Sequence, residues 1–348
     1  MNHLIKLGHK VLIIVPRDSS KIFLKDKNIV NINCGKIKSK HLYIRGLFEL
    51  YMEYRLYYSA VPFVEEFKPD QIICYSPSIF FKFLIKKLIK KFNAKSYLIL
   101  RDIFPYWAIE CGYINNFFIK KFYINYFHSF LKIFDKIGVE SFSNIKYLKK
   151  KTKLQNVHHL PNWIKIDNHL SKKSQNNKKS FIFSGNLGGG QDLDKLLNFY
   201  SKLKKNKSNC ELSILGEGMQ KISQQKITSL NIKTVNKVSY KKFIRVLCKY
   251  DYGVVSLKEK IVSVNYPGKL LTYLGCGLPI VLLSNKKNEL TEFIIKNKIG
   301  VVINDIEDIN KKIKYLNIIK NNFFKNKTHI KILKKFFSIE KNILKILK

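Results

Sequence analysis

Two doubly wound α/β domains are what this 348-residue chain predicts. Three observations carry the reading. Short apolar runs alternate with amphipathic helical stretches, which implies parallel sheets covered by helices. A polar stretch over residues 165–179, rich in Lys, Asn and Ser, interrupts the alternation and reads as an interdomain linker. The length exceeds one comfortable core and suits two domains of about 150 residues each.

The elements follow in order. Residues 1–10 read as the end of a helix stopped by Gly8 and running into a strand, without the strand and glycine loop that normally open such a domain. The first series of strands is expected at residues 10–15, 71–74, 96–100, 136–139 and 157–160. The second is expected at 180–184, 211–215, 232–235, 252–256, 279–283 and 300–303. The predicted domains are 1–164 and 165–325, with 326–348 as a C-terminal helix returning to the first. In paired domains of this kind ligands bind in a cleft, at the carboxyl ends of the strands.

Composition narrows the function classes. The formal net charge is +41. Lysine spread along the whole chain, with only Arg17, Arg45, Arg55, Arg101 and Arg245, argues for AT-rich codon usage over nucleic-acid reading, which leans on arginine. An anionic membrane surface stays open as a partner. Six scattered cysteines without a CxxC pair or a Cys/His cluster read as buried thiols in a reducing cytosol and argue against zinc. No signal peptide is visible, and no apolar run approaches the roughly 20 residues of a spanning helix, so a soluble or peripheral chain is expected.

Residues 266–281, YPGKLLTYLGCGLPIV, hold the most informative motif. Pro267-Gly268 opens a short helix that Gly277 ends. Lys269 falls in its first turn, where amides are unpaired and the dipole is positive, so an anion such as phosphate is wanted there. Residues 183–193, FSGNLGGGQDL, join a strand to a helix. Their glycines let the backbone approach a ligand, although a tight turn that binds nothing has the same look. Arg101 and Asp102 directly follow an apolar strand. Asp102 suits orienting a sugar hydroxyl or accepting a proton and Arg101 suits phosphate; an ion pair or a helix cap is the equal alternative. Glu217, in the LGEG turn of residues 215–218, reads chiefly as a turn former. Two lysine- and aromatic-rich stretches, 81–92 and 116–134, read as core-facing helices with solvated lysines or as helices lying on an anionic bilayer.

Together these motifs resemble family-4 glycosyltransferases of the GT-B fold, most of all bacterial O-antigen and capsule transferases of the L-fucosamine transferase type. SPSIFF (76–81), YLILRDIFPYWAIECG (97–112), LPNWI (160–164), SGNLGGGQDLDKLL (184–197), LGEG and the 266–281 motif carry the likeness. The resemblance implies a retaining transfer from a UDP-sugar to a polyprenyl-diphosphate-linked glycan, without a bound metal or other cofactor. The sugar implied is an N-acetylated aminosugar. It implies a cytoplasmic enzyme, peripheral on the inner face of the membrane, with an acceptor-side first domain and a nucleotide-sugar-binding second one. By the same likeness Gly185, Asn186, Leu187, Gly188, Gln191, Glu217, Lys269, Leu270 and Thr272 face the donor, and Arg101-Asp102 stands in place of a His-Asp pair beside the transferred sugar. The chain departs from the pattern where relatives carry two glutamates, here Val264 and Thr272. It departs again where they carry an Arg and a Lys in the glycine loop, here Asn186 and Gln191. A truncated or degenerate protein that binds nucleotide without transfer is the alternative; specific nucleic-acid binding is not expected.

Overall fold

The computed structural model describes residues 1–17, 28–35, 42–76, 78–165, 178–188, 190–206, 209–218, 222–235, 238–263, 265–304 and 309–347. The chain divides into two compact units, Met1–Leu160 with Ile343–Lys348, and Pro161–Asn342. The first break falls four residues before the expected boundary at 164, and only the last residues of the expected C-terminal helix group with the first unit. There the Ile346 carbonyl accepts from Gln71 Nε2 at 2.9 Å. Most of the expected linker, 166–177, lies outside the described residues, as do Gly189 and Val264.

The first unit runs α1 (Asn2–Lys6), β1 (Ile13–Arg17), β2 (Ile29–Asn33), α2 (Leu42–Phe67), β3 (Gln71–Ser76), α3 (Lys82–Phe92), β4 (Lys95–Leu100), α4 (Tyr106–Glu110), α5 (Phe117–Leu131), β5 (Lys136–Val139), α6 (Phe142–Thr152) and β6 (Val157–His159). Gly8 at φ +86° follows α1, as its placement in the sequence suggests. The strands form two parallel sheets, β1-β2 and β3-β4-β5-β6, where one was expected. β2 escapes the sequence reading because its residues Ile-Val-Asn-Ile-Asn mix apolar and polar positions too briefly to stand out. The apolar stripe of α3 is core: Leu84, Ile85 and Leu88 are buried while Lys86, Lys87 and Lys90 face solvent.

The second unit runs β7 (Lys179–Ser184), α7 (Leu193–Lys205), β8 (Cys210–Leu215), α8 (Gln224–Leu230), β9 (Lys233–Val235), α9 (Tyr240–Leu247), β10 (Tyr252–Ser256), α10 (Gly268–Gly275), β11 (Ile280–Leu283), α11 (Glu289–Lys296), β12 (Gly300–Ile303), α12 (Ile309–Asn326), α13 (Thr328–Phe336) and α14 (Ile339–Leu347), whose last turns belong to the first unit. Its sheet is parallel with the order β12-β11-β10-β7-β8-β9. The order reverses at β7, so the carboxyl ends of β7 and β10 flank a topological switch point, where such sheets bind ligands. Phe181, Ile182 and Phe183 of β7 are fully buried, as a central parallel strand covered on both faces requires.

One device recurs in both units. An aspartate just ahead of a strand accepts from the amide and hydroxyl of a serine at the second position of the neighbouring strand. Asp135 does so for Ser96 at 2.7 and 2.9 Å, and Asp251 for Ser180 at 2.8 Å in both bonds. Each carboxylate pins the β4–β5 or β7–β10 register, and Asp251 also pairs with the buried Lys320.

His329 of α13 is fully buried, and its ring lies 4.7 Å from that of Phe323. Neither ring nitrogen has a hydrogen-bond partner among the described residues, and desolvation lowers its pKa to about 4. The unfolded chain therefore takes up this proton first as pH falls. The stability contribution is whole above the ordinary value near 6.5 and is lost between there and about 4, up to roughly 3 kcal/mol. Guanidinium midpoints measured from pH 7 to pH 4.5 should fall less steeply for His329→Phe than for the unaltered chain. Equal slopes would mean that His329 does not couple folding to pH.

Candidate active site

The site in the second unit is built on backbone that only glycine permits. Gly216 has φ +154°, and a Cβ there would lie 1.9 Å from the Gly185 carbonyl oxygen. A Cβ on Gly218 would lie 2.4 Å from the Leu187 carbonyl oxygen. The loops after β7 and β8 therefore touch backbone to backbone. Gly185 N–H donates to Leu215 O at 2.9 Å and Leu187 N–H to Glu217 O at 3.0 Å. The LGEG motif thus lets these loops meet, and Glu217 is exposed in its turn.

The amides of Gly185 and Leu187 are thus engaged by the Leu215 and Glu217 carbonyls across the two loops, and that of Gln191 by the Gly188 carbonyl within its own loop. Lys269 and the start of α10 lend this rim positive character.

Lys269 lies beside Gly185, where a Cβ would meet its Cε at 3.6 Å and its Nζ at 3.9 Å. The ammonium stands 3.8 Å above the centroid of the Phe183 ring and donates to Gln191 Oε1 at 2.9 Å. Its partner is a neutral amide, not a carboxylate. The residue keeps part of its outline in solvent, yet the protein crowded around it desolvates the ammonium and lowers its pKa to about 7. Among the described residues this desolvated cation has no counter-charge, and its place at a helix start and a switch point suits an anion.

Two residues that the sequence reading missed hold this geometry. Tyr273, one turn after Lys269 on α10, is fully buried, and its hydroxyl meets Ser184 N at 2.7 Å and Ser184 Oγ at 2.9 Å. That ties α10 to the end of β7. Room for the ring comes from Gly253, whose Cβ would fall 2.2 Å from Tyr273 Cδ2. Phe183 supplies the aromatic floor. The i, i+4 spacing of Lys269 and Tyr273 was the available signal. Across the switch point, Gly190 O accepts from Lys258 N at 3.0 Å and Ser256 Oγ donates to Asp192 O at 2.7 Å, which joins the loops after β7 and β10.

The remaining expected donor residues divide. Asn186 is exposed and Gly188 half-buried on the same loop. Leu270 is fully buried in the core and its amide donates to Pro267 O, so it offers the donor neither side chain nor backbone donor. Leu187 likewise turns its side chain into the core. Thr272 donates its hydroxyl to Gly268 O at 3.0 Å within α10.

In the first unit, Arg101 and Asp102 part company. Arg101 is buried and its Nη1 donates to Leu160 O at 3.1 Å and lies 3.5 Å from Glu140 Oε1. It ties the end of β4 to the chain following β5 and β6, and the ion pair is one of the two readings its sequence allowed. Asp102 is exposed and accepts no hydrogen bond among the described residues, and surrounding protein desolvates its carboxyl and raises its pKa. It is the group of the pair available for chemistry.

Residues 182–335 match the family model described as glucosyltransferase 3-like, C-terminal domain. No curated protein matches the chain at a significant level. Among solved structures it is similar to TarM of S. aureus, with a TM-score of 0.57 and 16% identity over 86% of this chain. It spans 57% of that chain. It is similar to sucrose-phosphate synthase from Thermosynechococcus elongatus, with a TM-score of 0.72 and 10% identity, covering 98% of this chain and 88% of that one. It is also similar to Anabaena Alr3699/HepE in complex with UDP, with a TM-score of 0.62 and 11% identity, covering 97% of this chain and 98% of that one. The shared property is the fold, that of the GT-B glycosyltransferases.

Proposed function

We propose that this chain is a retaining glycosyltransferase of the family-4, L-fucosamine transferase type. It moves a sugar, an N-acetylated aminosugar, from a UDP donor to a polyprenyl-diphosphate-linked glycan in O-antigen or capsule assembly, at the cytoplasmic face of the membrane. The observation that carries the proposal is Lys269, an enclosed ammonium without a carboxylate partner among the described residues, at the switch point of the second unit's sheet. UDP bound to Anabaena Alr3699/HepE, a chain of similar fold, supports the choice of nucleotide.

The chemistry follows from charge. As the bond between the anomeric carbon and the UDP oxygen breaks, negative charge grows on the leaving diphosphate. Lys269, held by Gln191 and Phe183, and the start of α10 stabilise that charge. They take the place a metal would have, and no metal or other cofactor is assigned. Asp102, whose raised pKa comes from desolvation, would orient a hydroxyl of the transferred sugar or acceptor. Purified protein with UDP-N-acetylaminosugars and membrane acceptor should release UDP; no turnover with any donor would refute the proposal. Asp102→Asn is expected to lower turnover by about 10²-fold and leave UDP affinity, measured by calorimetry, unchanged. A parallel loss of both would place Asp102 in donor binding.

One observation favours a second reading, nucleotide binding without transfer. Arg101 is committed to Glu140 and Leu160, and Thr272 to its own helix, so two groups expected near the donor are occupied. UDP binding with no release of UDP from any sugar donor would establish it.

A further inference from the structure

We propose that the side-chain amide of Asn162 is a further donor to the diphosphate of the nucleotide, which makes it a binding residue of the site at α10. The inference rests on the nucleotide-binding reading of that site. It adds a residue of the LPNWI motif, which lies along α10 within the second unit. Ile164 N–H donates to Phe337 O at 3.3 Å, and its Cδ1 lies 3.5 Å from where a Cβ on Gly275, the last residue of α10, would stand. Asn162 is at the other end. Its Nδ2 lies 4.0 Å from where a Cβ on Gly268, the first residue of α10, would stand.

The neighbouring residue decides which way this amide points. Trp163 N–H donates to Asn162 Oδ1 at 3.0 Å. Only the oxygen of the side chain can accept that hydrogen, so the nitrogen is the branch beside α10. Asn162 is half-buried, and its Nδ2 has no hydrogen-bond partner among the described residues.

The helix start that it borders is open. α10 begins without a side-chain cap, and among the described residues the amides of Gly268 and Lys269 donate to no acceptor. In the same unit Asp192, Ser223 and Asn288 accept from amides at the starts of α7, α8 and α11. Asn162 commits its oxygen to Trp163 and so brings hydrogens, not lone pairs, to a helix start. Two backbone amides, the Asn162 amide nitrogen and the Lys269 ammonium are all donors, one of them charged. A diphosphate has enough oxygens to meet several of them at once, and its charge answers that of Lys269. Gly268 is exposed and has no side chain, which leaves the approach clear.

The full chain, Asn162→Ala and Asn162→Asp are titrated with UDP and with uridine by calorimetry. Loss of a hydrogen bond to a charged group should weaken UDP binding by about tenfold or more in Asn162→Ala. Uridine, which carries no phosphate, should bind as before. Asn162→Asp keeps an acceptor for Trp163 and sets a carboxylate at the helix start. UDP binding should fall further there, while the thermal midpoint of the ligand-free chain rises by about 1–3 °C. A residue that only holds the segment in place would move binding and midpoint in the same direction. UDP affinity within about twofold of the unaltered chain in both variants would overturn the assignment. So would a parallel loss of uridine and UDP in Asn162→Ala, or a lowered ligand-free midpoint in Asn162→Asp. An unaltered chain that binds no UDP would remove the nucleotide reading itself and this inference with it.

Discussion

Lys269→Ala is expected to lower kcat/KM by about 10²- to 10³-fold, the scale of losing one preorganised charge stabiliser at a leaving group, while far-UV dichroism and the thermal midpoint hold. Only the tip of α10 changes, because Tyr273 still ties the helix to Ser184. The same lysine makes binding pH-dependent. Unliganded, its pKa is about 7; beside a diphosphate the charged form is favoured and the pKa returns toward its ordinary value. Binding therefore takes up a proton above pH 7, and UDP affinity should fall toward about tenfold per pH unit as pH rises from there. Calorimetry in buffers of different ionisation enthalpy reads the uptake directly. An affinity independent of pH between 7 and 9, or unaltered turnover in Lys269→Ala, would remove the lysine from the site.

Gly216→Ala should be the most damaging small substitution in the second unit. The added carbon would fall 1.9 Å from the Gly185 carbonyl oxygen, at a φ of +154° that side chains rarely adopt. The rim cannot yield at one point, since Gly185 N and Leu187 N are both bonded across to the β8 loop. A loss of about 3 kcal/mol or more is expected from strain and the broken loop contact, together with loss of UDP binding. Denaturant midpoints and calorimetry check both. Gly188→Ala is the control, because there the nearest atom is the Asn186 side chain at 3.1 Å, which can turn aside. If Gly216→Ala matched it in stability, the two loops would not be interlocked.

How much of this could be read from the sequence depends on the range of the forces involved. Strands such as Lys136–Val139, Tyr252–Ser256 and Gly300–Ile303 lie where their apolar runs put them, because burial of a short central strand is written locally. The α10 turn with Lys269 was legible for the same reason, through its Pro-Gly start and glycine stop. Arg101 was not, since its partners Glu140 and Leu160 are 39 and 59 residues away. The spent amides of the glycine loop depend on a second glycine turn 30 residues on, which no local pattern announces. Leu270 was misassigned through likeness to relatives, although the run Leu270, Leu271 and Leu274 already described a buried helix face.

An amine that titrates near neutrality is, for about half of its molecules, an unprotonated nucleophile at pH 7. The chain carries dozens of other lysines, many of them exposed to water. Lys269 therefore gives an acylating or aldehyde reagent a preferred point of attack, and an occupied nucleotide site would shield it. Occupancy of the cradle becomes visible by mass before the sugar it serves has been identified.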